Sequence, residues 1–211
     1  MTLFSNSIIR RIDSDNYGRV GAFFKFPNDN GIYGISNNHV IANLNQCNIG
    51  DVICDIDNNP VGTLSDWINL DSNIYNNAEF ALFKLNMDII PAYNLWGNNS
   101  AAIPGGYANS SANMPVYYPA NGIVSAGKIV SVQAQIVINW SGTDYYFTNC
   151  LQVVPTQSSP FSFHGDSGGA VYSYDKKLVG IILGINESNT ATYVIPFING
   201  ILNYISLQIG G

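Results

Sequence analysis

Hydrophobic positions along the chain fall in short runs closed by Asn, Gly, Pro and Asp. Residues 18–26 are rich in Val and Phe and stop at Pro27, and residues 31–36 follow Asn28-Asp29-Asn30. Residues 51–56 and 61–64 flank Asp57-Asn58-Asn59-Pro60, and 80–85 form a compact apolar run. Runs of this length, bounded by turn formers, predict β-strands. The looser stretch 94–113, with Gly97, Pro104, Gly105 and Gly106, predicts a connection between two halves, 1–100 and 101–211. Strands are predicted again at 116–118, 122–132, 135–140, 145–153, 170–174, 178–185 and 191–195. The segment 197–208 differs: Phe197, Ile201, Leu202 and Ile205 recur at helical spacing, and Pro196 suits a first helical turn. The pattern predicts an all-β chain of barrel or sandwich type with one C-terminal helix.

Composition narrows the function classes. Of 211 residues, 46% are apolar and 10% charged, enough for a sizeable core and too little charge for a disordered chain. The net charge of −6, with only eight Lys and Arg, argues against nucleic acid as a partner, because binding phosphates needs clustered cations. Arg10-Arg11 and Lys176-Lys177 are the tight cationic pairs, and neither forms a stripe. No apolar run is long enough to cross a bilayer, so no membrane partner is expected. Residues 1–16 lack the apolar core of a signal peptide. Cys47, Cys54 and Cys150 are odd in number and show no metal-ligand clustering. They are expected to be structural thiols in a reducing, cytoplasmic setting, unless a signal peptide has been removed. No metal and no cofactor is expected. The sequon Asn139-Trp140-Ser141 is the kind that so Asn-rich a chain contains by chance.

The strongest chemical signal is Gly165-Asp166-Ser167-Gly168-Gly169. Glycines on both sides of a serine permit a sharp turn and close approach of a ligand. Successive N–H groups at such a turn can converge on a developing oxyanion. A serine hydroxyl needs an adjacent base. The chain offers two histidines, His39 at the end of a predicted strand and His164 three residues before the serine. A third group, a carboxylate, should orient the base. Glu79, at the head of the apolar run 80–85, is the candidate, with Asp66 and Asp71 as rivals.

Together these segments resemble the trypsin/chymotrypsin-like serine proteases, closest in style to the bacterial high-temperature-requirement type. Gly165-Asp166-Ser167-Gly168-Gly169 resembles that family's nucleophile motif, Asn37-Asn38-His39-Val40 its base motif, and residues 79–85 the strand carrying the acid. The order His39, Glu79, Ser167 is the family's order of base, acid and nucleophile. Residues 121–129 resemble a strand pair of its second barrel, and Leu178–Ile185 its substrate-binding strand, so the likeness spans about residues 18–208. It implies two six-stranded antiparallel β-barrels, the first carrying base and acid, the second the nucleophile. It implies a serine endopeptidase working through an acyl-enzyme, with the oxyanion hole in Gly165, Asp166 and Ser167, through the N–H groups of Gly165 and Ser167. By the same resemblance Phe161 is the floor of the primary pocket, His164 lies at its rim, and substrate backbone pairs with Leu183, Gly184 and Ile185. Protein or peptide substrate is the expected partner. Two departures stand out. Glutamate replaces the family's usual aspartate, and Arg11-Ile12 is followed by Asp13, which removes a recognisable activation site. Either the site assembles constitutively or a partner activates it. The alternative functional reading is a catalytically inactive peptide-binding module on the same fold.

Overall fold

The computed structural model describes residues 1–95, 98–100, 102–205 and 208–209. Gly97 of the predicted connection, residue 101 at the expected boundary, and residues 206 and 207 of the predicted helix lie outside the described residues.

Among the described residues the regular secondary structure is almost all strand, chiefly in two curled sheets. The first runs, in spatial order, Gln208–Ile209, Phe23–Lys25, Tyr33–Ser36, Ala81–Leu85, Pro60–Trp67, Val52–Asp55, Ile8–Arg11 and Tyr17–Arg19, all neighbours antiparallel. The second runs Ile123–Trp140, Pro115–Ala120, Ala170–Ser173, Leu178–Ile185, Thr192–Pro196 and Thr143–Pro155. Its first and last strands also pair, so these six antiparallel strands close on themselves. Closure removes the exposed edges that an open sheet leaves. Tyr75–Asn76 joins this ring as a short parallel addition, as Gln208–Ile209 joins the other sheet. A small third sheet pairs Thr2–Phe4 parallel with Ile90–Leu95, which also meets Asn98–Ser100. This is the all-β double barrel, with additional short strands at the sheet margins.

Alternation decides which faces are covered. In Ala81–Leu85 every residue but Lys84 is buried, and its register sets Ile35 against Leu82 and Ser36 against Ala81. Phe23, Phe24, Ile35, Leu82 and Phe83 form the centre of one apolar cluster. A second cluster, with Val116, Tyr118, Leu151, Val153, Phe161 and Val194, fills the other barrel. Each fully buried side chain of this size contributes about 1.5–3 kcal/mol. The Asn-rich turns also have a clear role. Nine of the twelve non-glycine residues at positive φ among the described residues are Asn, the side chain that best tolerates the left-handed region.

The structure differs from the sequence reading in three respects. Predicted strands 122–132 and 135–140 are one 18-residue strand, Ile123–Trp140, bent by register shifts between Ile129 and Ile136. Strands Thr2–Phe4, Ile8–Arg11 and Ile90–Leu95 were not predicted. The C-terminal helix is a single 3₁₀ turn, Ile201–Asn203. Asn199 at φ +65° and Gly200 at φ −126°, ψ −97° interrupt a longer run before it can start.

Candidate active site

His39 leaves strand Tyr33–Ser36 on the single helical turn Asn38–Ile41. The asparagines before it hold that turn. The buried Asn37 amide donates to Glu79 O at 3.0 Å, and the Asn38 amide donates to Asn45 Oδ1 at 2.7 Å and Ile68 O at 2.8 Å. Ser36 pairs with Ala81, which brings Glu79, two residues earlier, under the turn. Glu79 is fully buried. Its Oε1 accepts from the His39 backbone N–H at 2.8 Å and lies 3.0 Å from His39 Nδ1. The longer glutamate arm therefore reaches the imidazole without any opening of the turn. Glu79 Oε2 is buried without a hydrogen-bond partner. The rivals are elsewhere. Asp66 is exposed and accepts from Trp67 N, and Asp71 is exposed and folds onto Asn73, whose backbone and side-chain donors hold its carboxyl below the usual range.

Ser167 approaches from the other barrel. His39, Ser167, Tyr17, Trp140 and His164 line one cavity of about 380 Å³. The Ser167 loop is bonded to the first sheet by Arg19 N–H donating to Ser167 O at 2.7 Å. Gly168, at φ +86°, lies so close that a Cβ there would meet Arg19 O and Ser36 Oγ at 2.5 Å each, and Gly165, at φ +88°, lies against the Tyr17 ring. Glycine is needed at both positions for conformation and for space. The Ser167 hydroxyl donates to Leu183 O at 3.4 Å.

Of the three residues expected at the oxyanion hole, Asp166 has its N–H engaged with Phe163 O at 3.1 Å. Among the described residues the N–H groups of Gly165 and Ser167 take no intramolecular partner. The Asp166 carboxylate is buried against Arg19, with Oδ1 at 3.0 Å from Nη2 and 3.1 Å from Nε, and its Oδ2 accepts from Phe163 N at 2.9 Å. Arg19, itself 5% exposed, also donates to Asn6 O and Asn121 Oδ1. An internal cation thus holds the turn before the serine.

The expected pocket residues separate. Phe161 is sealed in the second core, 6.2 Å from the Tyr118 ring and packed on Gly127, and does not line the cavity that holds His39 and Ser167. His164 is exposed at the rim of that cavity. Leu183 is buried, while Gly184 and Ile185 are half-buried. The strand bulges between Ile182 and Gly184, and Gly184 and Ile185 pair with Tyr193 and Thr192 on one side. On the other side pairing with Ala170–Ser173 ends at Ile181 and Ile182 bonds the backbone of Gly168 and Gly169, so among the described residues Leu183–Ile185 has no strand paired to it on the side of the Ser167 loop, where Leu183 O accepts from the Ser167 hydroxyl.

Two contributors were not singled out from the sequence. Arg19 is one of two cations, with Lys25, inside the apolar run 18–26, a signal that could have marked it. Trp140 stacks on the His39 imidazole with ring centroids 4.5 Å apart and planes at 26°. In the sequence it stands as the middle of a sequon, and no local pattern points to His39.

No protein-family model matches the chain, and no curated protein matches it. Solved structures do. Protease A from Thermobifida fusca superposes with a TM-score of 0.70 at 12% identity, covering 99% of this chain and 98% of that one. The Nocardiopsis protease NAPase gives 0.70 at 12% identity, with both chains fully covered. A glutamic acid specific serine protease gives 0.69 at 16% identity, covering 99% of this chain and all of that one. These matches do not single out the high-temperature-requirement type. With the two curled sheets, one of them closed on itself, they show that the chain has the fold of the trypsin/chymotrypsin-like serine proteases.

Proposed function

We propose that the protein is a serine endopeptidase that hydrolyses peptide bonds through Ser167, His39 and Glu79 and an acyl-enzyme intermediate. The observation that carries this reading is the buried Glu79 carboxylate bonded to His39 Nδ1 beside a cavity that Ser167 also lines. The half 1–100 supplies base and acid, and the half 101–211 supplies the nucleophile. His39 takes the Ser167 proton as Oγ bonds to the substrate carbonyl carbon. Glu79 holds the imidazole in the tautomer with Nδ1–H and stabilises the cation formed. The N–H groups of Gly165 and Ser167 receive the oxyanion. The proton then passes to the leaving amine, and water releases the acyl group with His39 again as base. Substrate backbone adds to the edge at Leu183–Ile185.

One neighbour is described as using a histidine triad for substrate binding. This chain has two histidines, one of them the proposed base, so it cannot build such a pocket by itself. A peptide-binding module that does not cleave is favoured by one observation, the Ser167 hydroxyl directed at Leu183 O. Catalytic hydrogen bonds often tighten only once substrate is bound, and labelling decides. A fluorophosphonate probe should label wild type at Ser167, and Ser167→Ala should lose both labelling and peptide cleavage, the latter by several orders of magnitude. Unlabelled, folded wild type that still binds peptides would establish the non-cleaving module instead.

A further inference from the structure

We propose that Trp140 is a positioning residue for the base: its indole holds the His39 imidazole from the face while Glu79 holds it from the edge. The inference rests on the protease reading above. A single contact from Glu79 to Nδ1 at 3.0 Å fixes one edge of the imidazole but leaves the ring free to tilt. A second ring stacked at 4.5 Å and 26° removes that freedom.

The indole is delivered by a built element. Trp140 ends strand Ile123–Trp140 and pairs with Thr143 across a two-residue turn, with Ser141 at φ +52° and Gly142 at φ +87°. Both central residues are left-handed, the turn that matches strand twist in tight hairpins. Asn139 closes the tip, accepting from Gly142 N at 3.0 Å and donating to Asp144 Oδ1 at 2.6 Å. The indole itself sits on Tyr145 at 5.4 Å and edge-on to Phe147 at 5.7 Å. Behind the tip the hairpin is clamped to the stretch that delivers the acid. Tyr146 and Phe147 pair parallel with Tyr75 and Asn76, the Asn76 amide donates to Tyr146 O at 3.1 Å, and Asn149 donates to Asn77 at 3.1 Å. One short segment, residues 75–79, therefore anchors both the Glu79 contact and the hairpin that carries Trp140.

The stack has a consequence for the reaction. When His39 takes the Ser167 proton it becomes an imidazolium, and an indole face attracts a cation more strongly than a neutral ring. A contact that strengthens as the reaction proceeds raises kcat rather than lowering KM. Trp140 is neither base nor nucleophile, so its effect runs through His39.

The test compares Trp140→Phe, which keeps a ring, with Trp140→Leu and Trp140→Met, which do not. Wild-type labelling by the fluorophosphonate and turnover of a peptide substrate establish the protease reading first; their failure sinks that reading and is seen before any variant is made. With it established, the aliphatic variants should lose about 10-fold to 100-fold in kcat with KM little changed, and Trp140→Phe should recover most of the loss. Proton NMR gives a readout independent of activity. With two histidines in the chain, the His39 ring signals should lie upfield of those of exposed His164, assigned by His164→Gln, and should move downfield in Trp140→Leu. A folded aliphatic variant with wild-type kcat overturns the proposal, as does a wild-type His39 signal with no upfield displacement. If both aliphatic variants fail to fold while Trp140→Phe folds, the indole serves the barrel and not the base, which overturns it equally.

Discussion

Glu79 is one methylene longer than an aspartate, and its carboxylate reaches His39 Nδ1 at 3.0 Å. The register of Ala81 against Ser36 places the glutamate under the His39 turn, and complete burial leaves its carboxylate one polar neighbourhood to face, the N–H groups of residue 39. Charge and length can be separated. Glu79→Gln keeps the reach and an acceptor for the backbone N–H but removes the charge that stabilises the imidazolium. We expect kcat to fall about 10⁴-fold with KM little affected. Glu79→Asp keeps the charge and shortens the arm, so it should fall between wild type and Glu79→Gln in steady-state assays. A Glu79→Gln enzyme with wild-type kcat would remove Glu79 from the mechanism and return Asp66 or Asp71 to consideration.

At the scale of elements, the turn 26–33 illustrates how a loop is set by one side chain. Asp29 accepts from the Tyr33 hydroxyl at 2.6 Å and from Gly31 N, and pairs with Lys84 at 3.3 Å. The Tyr33 hydrogen bond is the main cause, with Gly31 next, that brings its carboxyl down to about 2. A carboxyl lowered on folding contributes stability that is present above its unfolded value, near 4, and is lost as pH falls towards about 2. Asp29→Asn should therefore unfold at lower urea than wild type at neutral pH, and the gap should close on acidification from about pH 4 to about pH 2. Equal midpoints at neutral pH would show that this exposed cluster contributes nothing measurable. The C-terminal segment teaches a related lesson. Phe197 and Ile201 are buried as their spacing suggests, yet Asn199 and Gly200 turn the chain before a helix can form, so apolar periodicity alone overstates the element.

At the scale of the whole molecule, the two barrels meet at the Ser167 loop, and Arg19 is the joint. Its backbone N–H holds Ser167 O, and its guanidinium is the counter-ion of buried Asp166, 147 residues away in sequence. Arg19→Met keeps bulk but leaves a buried carboxylate unpaired, which costs about 3–5 kcal/mol. The variant should show a matching drop in urea-unfolding free energy and slower fluorophosphonate labelling, because the turn bearing Ser167 loses its support. Unchanged stability in Arg19→Met would mean that the pair does not hold the loop. The joint also bears on the question of activation. The partner of Asp166 is a side chain of the same chain, so the turn is held without a newly freed amino terminus.

What could be read from the residues alone was what local chemistry dictates. Turn-forming Asn, Gly and Pro bound the strands because they are the residues that accept left-handed or kinked backbone, and nine of the asparagines do so. Gly165-Asp166-Ser167-Gly168-Gly169 is recognisable because its glycines answer to a backbone requirement carried within five residues. Tertiary structure decided everything that depends on partners distant along the chain. It set Glu79, and not Asp66 or Asp71, against His39, sealed Phe161 into a core, joined two predicted strands into one long hairpin arm, and set Trp140 on His39 and Arg19 on Asp166. The physical reason is that a side chain's propensity is local, whereas a stack or a buried ion pair depends on register and barrel closure, which no short window of sequence encodes.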